Sequence, residues 1–216
     1  HKLIKFNTFV NHKDLINNSK QLNRKLFQAT INSINNKICN IVGDDYAGII
    51  TILIRKKQTD YTYQHDKLRD CDDENKYVDI AKYFSSKGYV VLVSGEANYR
   101  LYSKIDNVLD HHAISISKKL LNIFCLSESS LVICQHSGPV HLANTWNVPL
   151  VIADALPLWQ GSANNNDLIV HKRFYDNNRC TYLSYSDIKE HYNSLFYGDY
   201  NLLDSLFLRI EGSKKS

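Results

Sequence analysis

The sequence of 216 residues contains no methionine, not even at position 1. We therefore expect this chain to be part of a longer protein. None of its apolar runs approaches the roughly 20 residues that a membrane-spanning helix needs, and residues 1–6 lack the apolar core of a secretory signal. These absences favour a cytoplasmic protein with no transmembrane segment. They leave open a peripheral association with the inner face of the membrane.

A large excess of one sign of charge is also missing. The chain has 26 basic and 22 acidic side chains, which gives a formal net charge of +4. A balance this close to neutral does not provide the extended basic surface that nucleic-acid binding requires. We therefore expect no nucleic-acid partner, and a ligand that is neutral or mildly anionic.

Cysteine is too sparse for a disulfide framework or a zinc site. The five cysteines are odd in number, and no pair has the spacing of zinc ligands. Cys125 and Cys134 stand in apolar segments and are expected in the core. Adjacent side chains of a strand or turn point apart, so the pair His111 and His112 does not indicate a metal site either. We expect a reducing compartment, no bound metal and no cofactor.

The most informative part of the sequence is a strand-turn-helix unit that contains all three prolines. An apolar run at 130–133 predicts a buried parallel strand, and a helical pattern follows that ends at Asn147. Between them Pro139 is expected at the first helical position. Such a turn presents backbone N–H groups to an anion, although an ordinary helix cap would have the same sequence. The predicted diphosphate-binding residues of this turn are Ser137, Gly138, Val140 and His141.

Strands and helices alternate along the chain, and their apolar patterns predict the fold class. An amphipathic pattern predicts one long helix over residues 1–42. The predicted strands are 48–54, 89–93, 106–109, 131–134 and 150–153. The predicted helices are one that ends at Gly88, then 115–126, 140–146, 186–196 and 202–210, with a frayed tail at 211–216. The pattern indicates an α/β fold, a Rossmann-like parallel sheet with helices on both faces, preceded by a long helix.

Ligands of such sheets bind at the carboxyl ends of the strands. The residues expected there are Arg55, Ser94, Gly95, His136 and Asp154. Arg55 is a candidate because a guanidinium binds phosphate in a bidentate manner, although a lone arginine after a strand is usually a surface residue. His136 and His141 could donate hydrogen bonds to a diphosphate or act as acids, or could simply be packed or capping residues. Arg55 and His136 are the candidates for a catalytic role.

Two further candidates lie in predicted loops. Arg69, in an acidic loop over residues 65–74, is expected either to contact the ligand or to cap the next helix. Trp159 follows a strand end and is expected either to stack on a sugar or base or to bury itself.

At this point two similarities to known enzymes can be stated. The segments 137–143 and 147–151 resemble the donor-side motif of lipopolysaccharide heptosyltransferases and related GT-B glycosyltransferases. The order of 52–55, 69–72, the helix to Gly88 and 89–95 is similar to that in a family of bacterial surface-polysaccharide glycosyltransferases. Together the two similarities cover roughly residues 48–190. The chain departs from these patterns at His136 or Gln135, where heptosyltransferases usually carry an acidic residue, and at Leu53, where the polysaccharide family often carries a histidine.

The resemblance implies one half of a GT-B fold, the carboxyl-terminal half that holds the nucleotide-sugar donor. Residues 1–45 would then be a helical connector from a missing N-terminal half, 46–190 the nucleotide-sugar-binding domain and 191–216 the closing helices and tail. The missing half would supply much of the acceptor site and often the catalytic base. The donor would be a substrate, bound without a metal.

The expected function is metal-independent transfer of a sugar from a nucleoside diphosphate to a glycan or lipid-linked acceptor of a surface polysaccharide. The turn and Arg55 would stabilise the departing diphosphate. Two alternatives stay open. One is a nucleotide-sugar epimerase, which typically has a Ser-Gly-Gly turn. The other is a non-catalytic nucleotide-sugar-binding module, which the departures at Leu53 and His136 permit.

Overall fold

The structure is a computed structural model. It describes residues 28–56, 70–71, 73–155, 167–171, 174–176, 179–184, 186–187 and 208–210. Several predictions from the sequence fall outside these residues, namely those on 1–27, Arg69, Trp159, 188–196, 202–207 and the tail. None of the described helices is long and apolar enough to cross a membrane.

The described chain alternates between helices and strands as expected. The helices are α1 over residues 28–42, α2 (Asn75–Ser86), α3 (Lys118–Glu128) and α4 (Gly138–Trp146). The first six strands are β1 (Ile49–Ile54), β2 (Val90–Gly95), β3 (Val108–Leu109), β4 (Leu131–Gln135), β5 (Leu150–Ala155) and β6 (Leu168–His171). A 3-10 turn, Tyr99–Leu101, follows β2. The predictions for β1 to β5 are confirmed, with the ends shifted by one or two residues.

Strands β1 to β6 form one parallel sheet in the order β3-β2-β1-β4-β5-β6. This is the strand order of a Rossmann-like sheet, so the predicted fold class is confirmed. The chain runs outward from β1 to β3 and then returns to β4 on the other side of β1. The carboxyl ends of β1 and β4 therefore flank the point at which the strand order reverses.

Helices cover both faces of this sheet, which explains why β1 is buried along its whole length. On one face α2 packs Tyr77, Val78 and Ala81 against alternate residues of β1 and β2. On the other face, α1 and α3 cover β1 and β2 while α4 covers β4 and β5. The apolar side of α1 consists of Ile31, Ile34 and Ile38, which confirms the predicted amphipathic helix for its described part.

The ends of α2 and α4 are set by the residues that the sequence suggested, whereas the starts of α3 and α4 are shifted from 115 and 140 to Lys118 and Gly138. Gly88 follows α2 at φ +81°, and Asn147 ends α4 at φ 56°, both in the left-handed region. Helix α3 begins at Lys118 rather than 115 because the Ser117 hydroxyl accepts the Leu120 N–H at 3.2 Å and caps the helix there.

A second, smaller sheet overturns one prediction. Strands β7 (Phe174–Asp176), β8 (Thr181–Tyr182) and β9 (Leu208–Ile210) are antiparallel, in the order β8-β7-β9. Residues 208–210 were predicted as the end of a helix over 202–210, and that part of the prediction is wrong. A short apolar run fits both periods, and here pairing with the backbone of β7 decides in favour of a strand.

Candidate functional site

The candidate residues meet at the carboxyl edge of the six-stranded sheet. Ile54 pairs with Gly95 across β1 and β2, and Leu53 pairs with Cys134 across β1 and β4. Gln135 pairs with Ala153 across β4 and β5. The residues that follow these pairs are therefore neighbours, about 4.8 Å apart from strand to strand. This brings Arg55, His136 and Asp154 to one edge, as the sequence predicted.

Helix α4 begins at this edge without a side-chain cap. Ser137 has the extended backbone of an N-cap residue, but its hydroxyl lies 3.2 Å from the Gln135 carbonyl oxygen, to which it donates. Ser117 at the start of α3 caps its helix, so the two serines behave differently in the same fold. The Ser137 side chain therefore accepts no N–H of the first turn of α4, and an ordinary serine side-chain cap does not describe this turn.

Gly138, rather than Pro139, is the first residue of α4. No atom of the described residues would lie within 4 Å of a Cβ atom placed on Gly138, so the turn is open at this position in the described structure. Val140 is buried, and its N–H donates to the Ser137 carbonyl oxygen at 3.0 Å. The Val140 N–H is thus engaged within the turn. His141 is exposed on the first turn of the helix.

Arg55 leaves β1 and turns its guanidinium toward this turn. Its Nε lies 3.1 Å from Asp70 Oδ1, and its Nη1 lies 3.5 Å from the His136 carbonyl oxygen. The Arg55 backbone N–H donates to Gln135 Oε1 at 2.6 Å, which ties the ends of β1 and β4 together. The side chain of Arg55 is 22% exposed. A cation is therefore held beside the start of α4, with Asp70 as its partner.

On the other side of β4 lies a second cation with its own carboxylate. Asp154 lies within β5, at φ 54°, and its Oδ1 is 2.6 Å from Lys76 Nζ. The Tyr77 hydroxyl donates to Asp154 Oδ2 at 2.7 Å. Burial, and next the nearby Asp154 carboxylate, raise the pKa of Tyr77 above its ordinary value, so the phenol stays a donor.

Ser94 and Gly95 reach the same edge but serve the packing of the strands. Ser94 is fully buried, and its hydroxyl donates to the Asn122 side chain of α3. Gly95 has φ +77°, and a Cβ atom there would overlap the Ile54 carbonyl oxygen. The Tyr99 hydroxyl donates to the Gly95 carbonyl oxygen at 2.9 Å. Their side-chain positions face protein atoms.

His136 is also buried, with 5% of its surface exposed, and it contributes its carbonyl oxygen to the contact with Arg55. The imidazole of His136 is thus part of the packed edge, whereas its backbone borders the turn.

Sequence reasoning missed the start of α2, which supplies part of this edge. Lys76 and Tyr77 contact Asp154, and the Glu74 carboxylate pairs with Lys56 and accepts the Asn98 N–H at 2.8 Å. These residues stand in a polar stretch without any motif. One general rule could have indicated these residues: the helix that follows a parallel strand begins near the carboxyl edge of the sheet, where ligands bind.

A cavity of about 250 Å³ lies near the carboxyl ends of β2 and β3. Its walls combine apolar and aromatic side chains with a few polar groups, namely Val93, Tyr99, Tyr102, Ser103, Val108, Leu109, Asp110, His112 and Ala113. The rings of His111 and His112 lie 3.9 Å apart, and both contact Tyr99 edge-on. Burial, and next the neighbouring His112, lower the pKa of His111. In the described part of the chain, no three His, Cys, Asp or Glu residues come together as metal ligands.

The sheet order and the covered faces define a Rossmann-like α/β domain. No protein-family model matches the chain, and no curated protein sequence matches it. Among solved structures, the chain is similar to a glycosyl transferase family 9 protein from Veillonella parvula. The identity is 15%, the match covers 63% of this chain and 38% of that one, and the TM-score is 0.46.

The chain is also similar to E. coli heptosyltransferase WaaC, solved with ADP-2-deoxy-2-fluoro heptose and with ADP. The identity is 12% in both cases, with TM-scores of 0.39 and 0.36. These matches cover 73% and 74% of this chain, and 46% and 48% of the heptosyltransferase. The chain therefore spans less than half the length of each of these structures.

Proposed function

We propose that this chain is the donor-binding domain of a metal-independent glycosyltransferase. The donor is a nucleoside diphosphate sugar, and the acceptor is a glycan or lipid-linked intermediate of a surface polysaccharide. An N-terminal half outside this chain supplies most of the acceptor site, and the protein works at the cytoplasmic face of the membrane. The observation that carries the proposal is the start of α4, which Ser137 leaves uncapped, which Gly138 leaves open and which Arg55 borders.

The chemistry required of such a domain is the stabilisation of a departing diphosphate. The N-terminus of α4 offers N–H donors and the positive end of the helix dipole, which favours an anion by about 0.3–1 kcal/mol when exposed and up to about 2 kcal/mol when partly buried. A guanidinium adds a charge-assisted contact of greater strength. Arg55 is oriented by Asp70, so little reorganisation is needed when the diphosphate forms. We assign the acceptor base to the missing half.

In this proposal the nucleoside part of the donor binds in the cavity near the ends of β2 and β3. The cavity near the ends of β2 and β3 lies at the same carboxyl edge as the turn, and aromatic rings of Tyr99 and Tyr102 form part of its wall. A planar base fits a site of this kind, which has apolar and aromatic walls and few polar groups.

Calorimetric titration of the purified chain with ADP, GDP, UDP and CDP, with and without magnesium, tests the proposal. We expect one nucleoside diphosphate to bind, and to bind without magnesium. The variant Gly138→Ala places a methyl group in front of the helix, because Cβ bonds tilt toward the helix N-terminus. It should weaken binding by about tenfold or more, since a charge-assisted hydrogen bond is lost.

The fold has room for that methyl group, so a melting temperature equal to that of the wild type is expected for Gly138→Ala. Thr145→Ala, farther along α4, is the matched control and should bind like the wild type. A folded chain that binds none of the four diphosphates would contradict the proposal. Equal binding by Gly138→Ala and the wild type would make the turn an ordinary helix start.

A further inference from the structure

We infer that Lys76 is a second phosphate-binding residue of this site, and that Asp154 holds it in place and competes with the diphosphate for it. The inference rests on the proposed function, because it concerns the same ligand. Lys76 lies on the first turn of α2, outside the sequence motif at 137–143.

The position of Lys76 follows from the strand order. Strand β4 lies between β1 and β5, so the turn that opens α4 has β1 on one side and β5 on the other. Arg55 reaches the turn from β1, and its Nη1 contacts the His136 carbonyl oxygen. Lys76 Nζ lies 2.6 Å from Asp154 of β5, one residue beyond the pair that Gln135 makes with Ala153. Along the carboxyl edge, Arg55 thus lies on the β1 side of β4, whereas Lys76, from α2 on the opposite face of the sheet to α4, is held on the β5 side of β4.

Both cations are held by carboxylates, but the two pairs differ in their surroundings. The Lys76 side chain is 38% exposed, whereas that of Arg55 is 22% exposed. An ammonium on a flexible stem with this exposure can turn to a second anion without unfolding anything. Asp154 accepts from Tyr77 as well, so its carboxylate stays in place when Lys76 moves.

The charges make Asp154 an internal competitor. A diphosphate that binds at the start of α4 approaches the Asp154 carboxylate and needs the ammonium that this carboxylate occupies. Replacing Asp154 with Asn removes the competing charge and keeps the geometry. Asn tolerates a left-handed backbone such as the one at φ 54°, and its oxygen still accepts the Tyr77 hydroxyl.

The test is calorimetry on the full chain with ADP, GDP, UDP, CDP and inorganic pyrophosphate, in four single variants and one double variant besides the wild type. Lys76→Met should bind the preferred diphosphate about tenfold more weakly, through loss of a charge-assisted contact. Lys76→Arg should retain most of the affinity. Asp154→Asn should bind about two- to fivefold more tightly, since the Asp154 carboxylate no longer competes for the Lys76 ammonium. Lys82→Met removes a lysine that pairs with Asp79 on the same helix, and should bind like the wild type.

The double variant Lys76→Met with Asp154→Asn separates contact from simple charge balance. If Lys76 touches the phosphate, the double variant binds more weakly than Asp154→Asn alone. If Lys76 only neutralises Asp154, the two bind equally and the inference is wrong. Binding by Lys76→Met that equals the wild type would also overturn it, and would leave the proposed function intact. A wild-type chain that binds no diphosphate would remove both.

Discussion

At the scale of a single residue, Gly95 lies at the edge where the ligand is expected, but close packing against β1 explains why this residue is a glycine. Gly95 and Gly88 have almost the same backbone, with φ +77° and φ +81°. A Cβ atom on Gly95 would overlap the Ile54 carbonyl oxygen, whereas one on Gly88 would meet nothing within 4 Å. Alanine at Gly88 should therefore cost only the backbone strain, about 1–2 kcal/mol.

Alanine at Gly95 adds a steric clash between β2 and β1 to that strain. We expect the free energy of unfolding to fall by about 3 kcal/mol or more, at the upper end of what single substitutions do. Urea denaturation of Gly95→Ala and Gly88→Ala measures the difference, and the clash is the part by which Gly95→Ala exceeds Gly88→Ala. Equal losses for the two variants would show that the strands separate easily and that Gly95 is free for another role.

The site residues differ in how far the sequence could predict them. Arg55 follows an apolar run directly, so its place at the end of β1 could be read from the pattern. Its partner Asp70 lies 15 residues further on, and no local pattern brings the two together. The same holds for Lys76 and Asp154, which are 78 residues apart in the chain. Contacts of this kind depend on the sheet order, which a single sequence does not provide.

At the scale of elements, the long apolar segments were predictable, whereas of the short strands only β3 was predicted. Strands β1, β2, β4 and β5 are apolar on both sides because helices cover both faces, and such runs stand out. Strand β6 did not stand out, because Leu168 and Val170 are exposed on an edge strand and the polar residues around them read as a loop. Residues 208–210 form a strand because β7 pairs with them. The two segments are far apart in the chain, so no local pattern predicts this pairing.

Several elements together form the cavity near β2 and β3, namely these two strands, the 3-10 turn and the segment after β3. Ala113 is exposed at its edge, so Ala113→Trp should fill the cavity without disturbing the core. We expect the affinity for the preferred nucleoside diphosphate to fall by about tenfold or more, as for a lost base-stacking contact. Binding of inorganic pyrophosphate should not change, because pyrophosphate has no base to place there.

Calorimetry with both ligands decides this, and Ala113→Ser, which leaves the cavity open, is the control. A parallel loss of both affinities would indicate a general disturbance of the fold. Unchanged affinities for both ligands would mean that the base lies elsewhere.

At the scale of the whole molecule, the chain carries a net charge of +4, but cations at the carboxyl edge stand in ion pairs in the part of the chain that the structure describes. The described pairs near this edge are Arg55–Asp70, Lys56–Glu74, Lys76–Asp154 and Lys118–Glu96. Such pairs hold the cations in defined positions before a ligand arrives. A diphosphate that binds then replaces the carboxylate partners and does not have to order loose side chains. The affinity for the diphosphate should therefore fall less steeply with salt concentration than the affinity of a surface whose cations are unpaired.

The core of the whole molecule should make the protein sensitive to alkali. Cys125 and Cys134 are fully buried in the layers between the sheet and α3 and α4, and burial raises the pKa of both thiols to about 12. In the unfolded chain a thiol ionises near its ordinary pKa of about 8.5. Between these values the unfolded state binds fewer protons than the folded state. The free energy of unfolding must therefore fall as the pH rises from about 9 toward 12.

The slope should be on the order of 1 kcal/mol per pH unit for each thiol. The buried phenol of Tyr77, with its raised pKa, adds to the loss above the ordinary tyrosine value of about 10. Urea denaturation at several values between pH 7 and pH 10.5 measures the slope. Cys180→Ser, at an exposed thiol, should leave this slope unchanged, and Cys134→Ala should reduce the slope even though it lowers stability at every pH.

Because the buried thiols stay protonated and covered, an alkylating reagent at pH 8 should modify Cys180 in the native protein and reach Cys125 and Cys134 only on unfolding. Rapid labelling of Cys125 or Cys134 in the folded chain would mean that the layers over β1 and β4 open more readily than their packing indicates.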